Sequence, residues 1–225
     1  PEIVAPDFSD YSKSLRGNVS WEGLLDQLHD FIEQENKNGP CILIGYSKGG
    51  RIALQYVLSR RSSVKGLVLI GATPGIEKEA EAEQRRSQDE ALASRIMTQT
   101  MSEFLDFWLQ QDLLKSQTVI PKPYQRRMQE QRLRNNKETL ALCLKMFGTG
   151  AMKPVWAKLE SLSMPCLLVT GDQDSKFKAI TSRMADRIPV IKSVLILEAG
   201  HAACFEKPVA FASALSEFID DNFSR

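Results

Sequence analysis

The chain has 225 residues, enough for one large domain or one domain with an insertion at roughly 150 residues per domain, and enough to bury a core without staples. Its 29 Lys and Arg against 28 Asp and Glu leave a net charge of +1, which excludes the strongly basic class that binds nucleic acid or anionic membrane surfaces. With 43% hydrophobic and 25% charged residues it has an ordinary globular composition, and no apolar run approaches the roughly 20 residues that span a bilayer.

Taken in chain order, the predicted elements alternate. Ile3-Val4-Ala5 reads as a short apolar strand. Ser20 is an N-cap for a helix whose apolar stripe is Trp21, Leu24, Leu25, Leu28 and Ile32, stopping at Asn38-Gly39-Pro40. Cys41-Ile42-Leu43-Ile44 is a continuous apolar run, expected of a strand buried on both faces. A helix from about Gly49 to Arg60 and a strand from Val64 to Ile70 follow. From about Pro74 to Gly150 the alternation stops. This stretch is polar, helical in period and without a convincing strand, with one apolar face at Phe104, Leu105, Trp108 and Leu109 and another at Leu133, Leu140, Leu144 and Phe147. It reads as an all-helical insertion, so the expected division is a core of 1–73 and 150–225 with a helical lid of 74–149. Between Pro121 and Lys137 it holds six basic residues (Lys122, Arg126, Arg127, Arg132, Arg134, Lys137) against Glu130 alone, a local excess suited to an anionic ligand. Strands from Met164 to Thr170 and Ser193 to Leu197, with helices from Lys176 to Arg187 and Pro208 to Phe223, complete an α/β fold with a mainly parallel sheet.

Cys41, Cys143, Cys166 and Cys204 are scattered, with no CxxC pair. A reducing compartment and no disulfide framework are expected, with Cys41 and Cys166 buried as small hydrophobes. The opening residues have neither the basic start nor the long apolar stretch of a signal peptide. Two histidines, His29 and His201, are too few for a site built on several imidazoles, and no metal or organic cofactor is expected.

The chemistry concentrates in Gly45-Tyr46-Ser47-Lys48-Gly49, a G-x-S-x-G directly after a predicted strand and directly before a helix. That context suits a nucleophile elbow: a sharp turn flanked by small residues, with the Ser47 hydroxyl at a helix N-terminus where the dipole favours negative charge. A serine there needs a base. His201, in Ala199-Gly200-His201, follows the last predicted strand, where catalytic groups of parallel sheets gather. His29 lies mid-helix and reads as structural or exposed. An orienting carboxylate is expected from Gly171-Asp172-Gln173-Asp174. Asp174 is preferred as the fourth residue of the turn, Asp172 is the alternative, and either could otherwise cap the following helix. The chain order Ser47, Asp174, His201 is that of an α/β hydrolase.

The sequence also resembles the 2-succinyl-6-hydroxy-2,4-cyclohexadiene-1-carboxylate synthase family of menaquinone and phylloquinone (vitamin K) biosynthesis. Gly45 to Gly49 with Gly50-Arg51 resembles the family's elbow. Thr73-Pro74-Gly75-Ile76 with Glu83-Gln84-Arg85-Arg86-Ser87 resembles its post-strand and first lid motif. Phe107-Trp108-Leu109-Gln110-Gln111 and Leu133-Arg134-Asn135-Asn136 resemble two further lid motifs. Gly171 to Phe177 resembles its acid turn and Ala199 to Ala203 its histidine loop. The resemblance implies an α/β-hydrolase fold used by a lyase. Pyruvate is eliminated from 2-succinyl-5-enolpyruvyl-6-hydroxy-3-cyclohexene-1-carboxylate, with Ser47 as base, activated by His201, which Asp174 orients. It further implies a small anionic dicarboxylate as partner, held by Arg51, by Arg85 or Arg86, and by Arg134, in a pocket lined by Tyr46 and Trp108. Arg forks grip carboxylates at two points, which suits the basic insertion independently. The implied location is the cytoplasm, or the plastid stroma of a plant or alga. Neither nucleic acid nor membrane insertion is implied, and oligomeric state stays open.

There are departures. The family's chain begins with further strands and an early His-Gly loop that supplies one N–H of the oxyanion hole. Here Pro1 is expected to enter just before an Asp7–Ser14 loop, with the first strands missing, as in a truncated chain or a module of a multifunctional phylloquinone-pathway protein. Asp7-Phe8-Ser9-Asp10-Tyr11-Ser12 replaces the family's Gly-containing turn. The Lys48 backbone N–H is then the one donor assigned to the hole, and a lost donor costs about a hundredfold to a thousandfold in rate. Two alternatives stay open: a serine hydrolase of an ester, thioester or C–C bond, and a non-catalytic remnant. The arginines discriminate, since a hydrolase of neutral esters has no need of them facing the pocket.

Overall fold

The computed structural model describes residues 2–6, 19–35, 39–60 and 63–224. Four parallel strands pair in the order β1 (Cys41–Tyr46), β2 (Val64–Ile70), β3 (Cys166–Gly171), β4 (Ile191–Ile196). Parallel neighbours require crossovers. Helix α2 (Lys48–Ser59) joins β1 to β2, and α7 (Ser175–Ala185) joins β3 to β4. Helix α1 (Trp21–Glu35) precedes the sheet; α8 (Ala203–Glu206) and α9 (Pro208–Phe223) follow it. Between β2 and β3 run α3 (Glu79–Thr98), α4 (Met101–Leu109), α5 (Lys122–Leu133) and α6 (Lys137–Phe147), with 3₁₀ segments at Asp112–Val119 and Trp156–Ser161.

The central strands are apolar throughout because both faces are covered, and successive side chains go to opposite sides. Leu67, Leu69, Cys166 and Leu168 pack with Ala53 and Leu54 of α2, Met184 of α7 and Trp156 and Leu159 of the 3₁₀ segment. Val68, Ile70, Leu167 and Val169 pack on the other side against Ala203 and Phe218 of α8 and α9. Leu67, Leu69, Leu167 and Leu168 are at most 2% exposed, and burial of each contributes about 1.5–3 kcal/mol. The insertion has its own small core, centred on Ala93, Ile96, Phe104, Leu105 and Ala141. Thr100 and Glu103 form a capping box that starts α4, and the Asn136 side chain caps α6.

Several expectations need correction. Ile3-Val4-Ala5 is not a strand: residues 2–6 pair with nothing among the described residues, and Ile3 is 85% exposed. A strand needs a neighbouring edge, which apolarity alone does not supply. β1 runs on to Tyr46, and it is the edge of the sheet among the described residues. Its Ile42 and Leu43 are therefore half-buried and Ile44 is exposed, instead of buried on both faces; Cys41 is likewise half-buried. β3 begins at Cys166, and β4 spans 191–196 where 193–197 was expected. Leu133 does not share a face with the α6 residues. It is exposed at the end of α5, while Phe147 packs with the α1 cluster. The Asp7–Ser14 loop and Asn38 lie outside the described residues. The four cysteines are free. No helix among the described residues is long and apolar enough to cross a membrane.

Candidate active site

Ser47 sits between the end of β1 and the start of α2 with φ 50° and ψ −108°. Positive φ in a residue with a side chain is strained, and the surroundings hold it there. The Ser47 N–H donates to Ile70 O, and Ser47 O accepts from Arg51 N. Strand and helix then approach so closely that a Cβ at Gly45 would lie 2.5 Å from Gly50 Cα, and one at Gly50 would lie 2.6 Å from Ala72 Cβ. Gly49, by contrast, has open space where a Cβ would be. The tight pair is therefore Gly45 and Gly50, not the two glycines of the G-x-S-x-G signature. Lys48 opens α2, so its N–H belongs to the first turn, where backbone donors have no intrahelical acceptor.

His201 lies in the loop after β4 and is 4% exposed. Its Nε2 is 3.0 Å from Ser47 Oγ, and its Nδ1 is 2.8 Å from Asp174 Oδ2. Asp174 is itself 7% exposed. Its other oxygen accepts from the Phe177 N–H at 3.2 Å, so one carboxylate caps α7 and holds the imidazole. Asp172 does something else: its Oδ1 accepts from the Ala199 N–H and braces the loop that leads to His201. Rings enclose the imidazole. The Phe177 centroid is 4.5 Å away and that of Tyr46 is 5.5 Å away, while a Cβ at Gly71 (φ 54°) would lie 2.9 Å from His201 Cε1. His29 stands apart, with Nδ1 3.0 Å from the Tyr56 hydroxyl.

The arginines divide into two kinds. Arg51 is buried, and Nη1 donates to Phe147 O at 2.9 Å. Burial, then the neighbouring Arg85, pushes its pKa down to about 10, while Asp89 pulls it up; the group stays charged at neutral pH. Arg85 Nε meets the buried Asp89 Oδ1 at 3.0 Å. Arg86 turns outward instead, to Glu79, Glu83 and the Gly150 carbonyl. The structure thus separates two neighbours that sequence left undivided. Arg134 is exposed as the C-cap of α5. Arg132 points inward: Nη2 donates to Gln117 Oε1 at 2.9 Å, and it is within electrostatic reach of Tyr46, whose phenol burial holds well above its ordinary pKa. Burial lowers the pKa of Arg132, and Tyr46 opposes that shift. Trp108 stacks on Phe104 at 6.0 Å and, with Arg132 and Asn135, lines an apolar cavity of about 140 Å³ inside the insertion. Sequence reasoning missed Arg132, Phe177 and Gly71 as parts of this site. Arg132 lay in the basic run and Gly71 directly after a predicted strand, but neither position announces which way it faces.

The chain as a whole is similar to known proteins. The serine aminopeptidase S33 family model matches residues 11–208. A Klebsiella pneumoniae 2-succinyl-6-hydroxy-2,4-cyclohexadiene-1-carboxylate synthase is 33% identical over 178 residues, covering 79% of this chain and 67% of the relative. A Bacillus subtilis protein that carries the same name provisionally is 34% identical over 177 residues, covering 79% of this chain and 65% of its own length. The chain thus spans about two thirds of the length of these relatives. Among solved structures, MenH from S. aureus superposes with a TM-score of 0.88 at 29% identity, covering 92% of this chain and 77% of that one.

Proposed function

The chain belongs to the 2-succinyl-6-hydroxy-2,4-cyclohexadiene-1-carboxylate synthase family of α/β hydrolases, and on that premise we propose that it eliminates pyruvate from 2-succinyl-5-enolpyruvyl-6-hydroxy-3-cyclohexene-1-carboxylate. The observation that carries the reading is the unbroken hydrogen-bonded line from Asp174 through His201 to Ser47.

The two names define the bond changes. A 3-ene becomes a 2,4-diene, so a ring proton leaves C2, the double bond shifts, and the C5–O bond to the enolpyruvyl group breaks. In this reading His201 Nε2 takes the Ser47 hydroxyl proton and the Ser47 oxygen takes the C2 proton. The electron pair moves through the ring and leaves with the C5 oxygen, and the departing enolate is protonated at carbon to give pyruvate. The C2 proton is acidified by the succinyl carbonyl beside it. Negative charge grows on that carbonyl oxygen in the transition state, where the Lys48 N–H and the dipole of α2 favour it. Asp174 holds the imidazole in the orientation that frees Nε2 for Ser47 and stabilises the charged ring. No acyl-enzyme forms. The substrate's carboxylates suit Arg132, Arg51 and Arg85, while Trp108 and Tyr46 suit its ring. Residues 74–149 act as the lid. The proposed compartment is the cytoplasm, consistent with four free cysteines.

The test is a coupled assay. The cyclohexene substrate is generated enzymatically, the chain is added, and pyruvate release is followed with lactate dehydrogenase and NADH, with Ser47→Ala as control. Acceleration above the spontaneous rate that is lost in Ser47→Ala is the expected result. The elbow at Ser47 also suits covalent hydrolysis. Turnover of p-nitrophenyl esters with no acceleration of pyruvate release would favour that second reading.

A further inference from the structure

Glu206 is 4% exposed, and none of the ion pairs among the described residues uses it. A buried carboxylate without a cation is costly unless its oxygens are hydrogen-bonded. Here all its partners are donors. Oε2 accepts from the Gly200 N–H at 2.6 Å, and Oε1 accepts from the Ala202 N–H at 3.1 Å and from Ser116 Oγ at 2.8 Å. Gly200 and Ala202 are the residues on either side of His201. Ser116 belongs to the 3₁₀ segment Asp112–Val119 of the helical insertion. The two segments touch so closely that a Cβ at Gly200 would overlap Ser116 Oγ.

We propose that Glu206 is a positioning residue for His201: its carboxylate clamps the backbone on both sides of the imidazole and, through Ser116, ties that loop to the helical insertion. The proposal rests on the reading of His201 as the group that activates Ser47. Asp174 and the packed rings fix the imidazole's own orientation, but they act on a side chain whose backbone sits in a loop of six residues between β4 and α8. Asp172 holds the front of that loop at Ala199. Glu206 holds the rest. A negative carboxylate suits three donors at once, whereas a glutamine in either orientation aims its NH₂ at a backbone N–H.

The experiment compares Glu206→Gln and Ser116→Ala with wild type in pyruvate release and in amide hydrogen exchange, with circular dichroism checking the fold. For Glu206→Gln, kcat falls about tenfold to a hundredfold, the scale of a slightly misplaced reacting group, with KM changed less than about twofold. Exchange at 199–202 accelerates. Ser116→Ala shifts kcat in the same direction by less. Wild-type kcat in Glu206→Gln, or a fall carried by KM, overturns the proposal. Exchange separates it from the proposed reaction: if wild type releases no pyruvate, unchanged protection at 199–202 in Glu206→Gln still overturns the clamp. If Glu206→Gln does not fold, Ser116→Ala decides, and wild-type kcat together with wild-type exchange there refutes the tie.

Discussion

Replacing Arg132 by Met keeps most of the side chain's bulk and removes its charge and its donors. Arg132 is half-buried, donates to Gln117 and faces Tyr46, so its guanidinium is desolvated on one side and pre-positioned. A hydrogen bond to a charged group contributes about 1.5–3 kcal/mol. At 1.4 kcal/mol per factor of ten, losing that grip on a substrate carboxylate raises KM about tenfold to a hundredfold. If the grip is equal in ground and transition states, kcat stays near wild type. The same change strips the buried Gln117 Oε1 of its donor, so a modest fall in melting temperature accompanies it. Arg134→Ala is the matched control, since that side chain is exposed at the helix end. The lactate dehydrogenase-coupled assay with varied substrate gives both constants, and circular dichroism confirms that both variants are folded. A larger KM increase for Arg134→Ala than for Arg132→Met would refute the placement of the carboxylate grip.

Asp174→Asn should lower kcat about a thousandfold to ten-thousandfold, because an amide no longer favours the imidazole orientation and charge that Ser47 needs, yet it still accepts from the Phe177 N–H. Near-normal pyruvate release in that variant would remove Asp174 from the mechanism. Gly71→Ala adds a Cβ 2.9 Å from His201 Cε1 at a φ of 54°, so kcat should fall together with about 1–2 kcal/mol of stability, read from urea melts; an active, stable variant would contradict it. Burial pushes the Cys166 and Cys204 thiols up to about 12. Their pKa is raised in the folded state, so the unfolded chain loses these protons first, and the stability they contribute is complete below about 8.5 and is lost as pH rises towards 12. Iodoacetamide mapping at pH 8 should leave the fully buried Cys166 unlabelled until urea unfolds the chain, and its labelling in the native protein would refute this.

The fold was legible wherever burial on both faces writes a continuous apolar run. Val64–Ile70 is an example, with Leu67 and Leu69 serving one face and Val68 and Ile70 the other. The same rule failed at Ile3-Val4-Ala5 and misjudged β1. Whether an apolar run is covered depends on a neighbour elsewhere in the chain, and local periodicity carries no record of that neighbour. The line Ser47–His201–Asp174 was legible for a different reason. Each of its members follows a strand end, and the turns that place them leave local marks: a glycine-flanked serine, and an aspartate that caps the helix it introduces. Asp174 against Asp172 could be argued from position in the turn because the cap and the partner of His201 are one carboxylate, using one oxygen for each.

The arginines had no such mark. Residues two apart on a helix point about 200° from each other, so Arg132 and Arg134 at the end of α5 cannot serve the same side. Choosing between them needs the direction of the core, which a helix announces by an apolar stripe. α5 has none: no residue within it is buried, and Leu133, between the two arginines, is 42% exposed. Its orientation is set from outside, by Gln125 donating to the Ile120 and Thr118 carbonyls and by Arg132 reaching Gln117. All three anchors lie in the preceding 3₁₀ segment or at the residue that caps it, an element that periodicity did not reveal. A basic surface helix can therefore be recognised from composition as suited to an anion, while the choice of which basic residue meets that anion rests on side-chain bonds to backbone carbonyls and amides that leave no periodic trace.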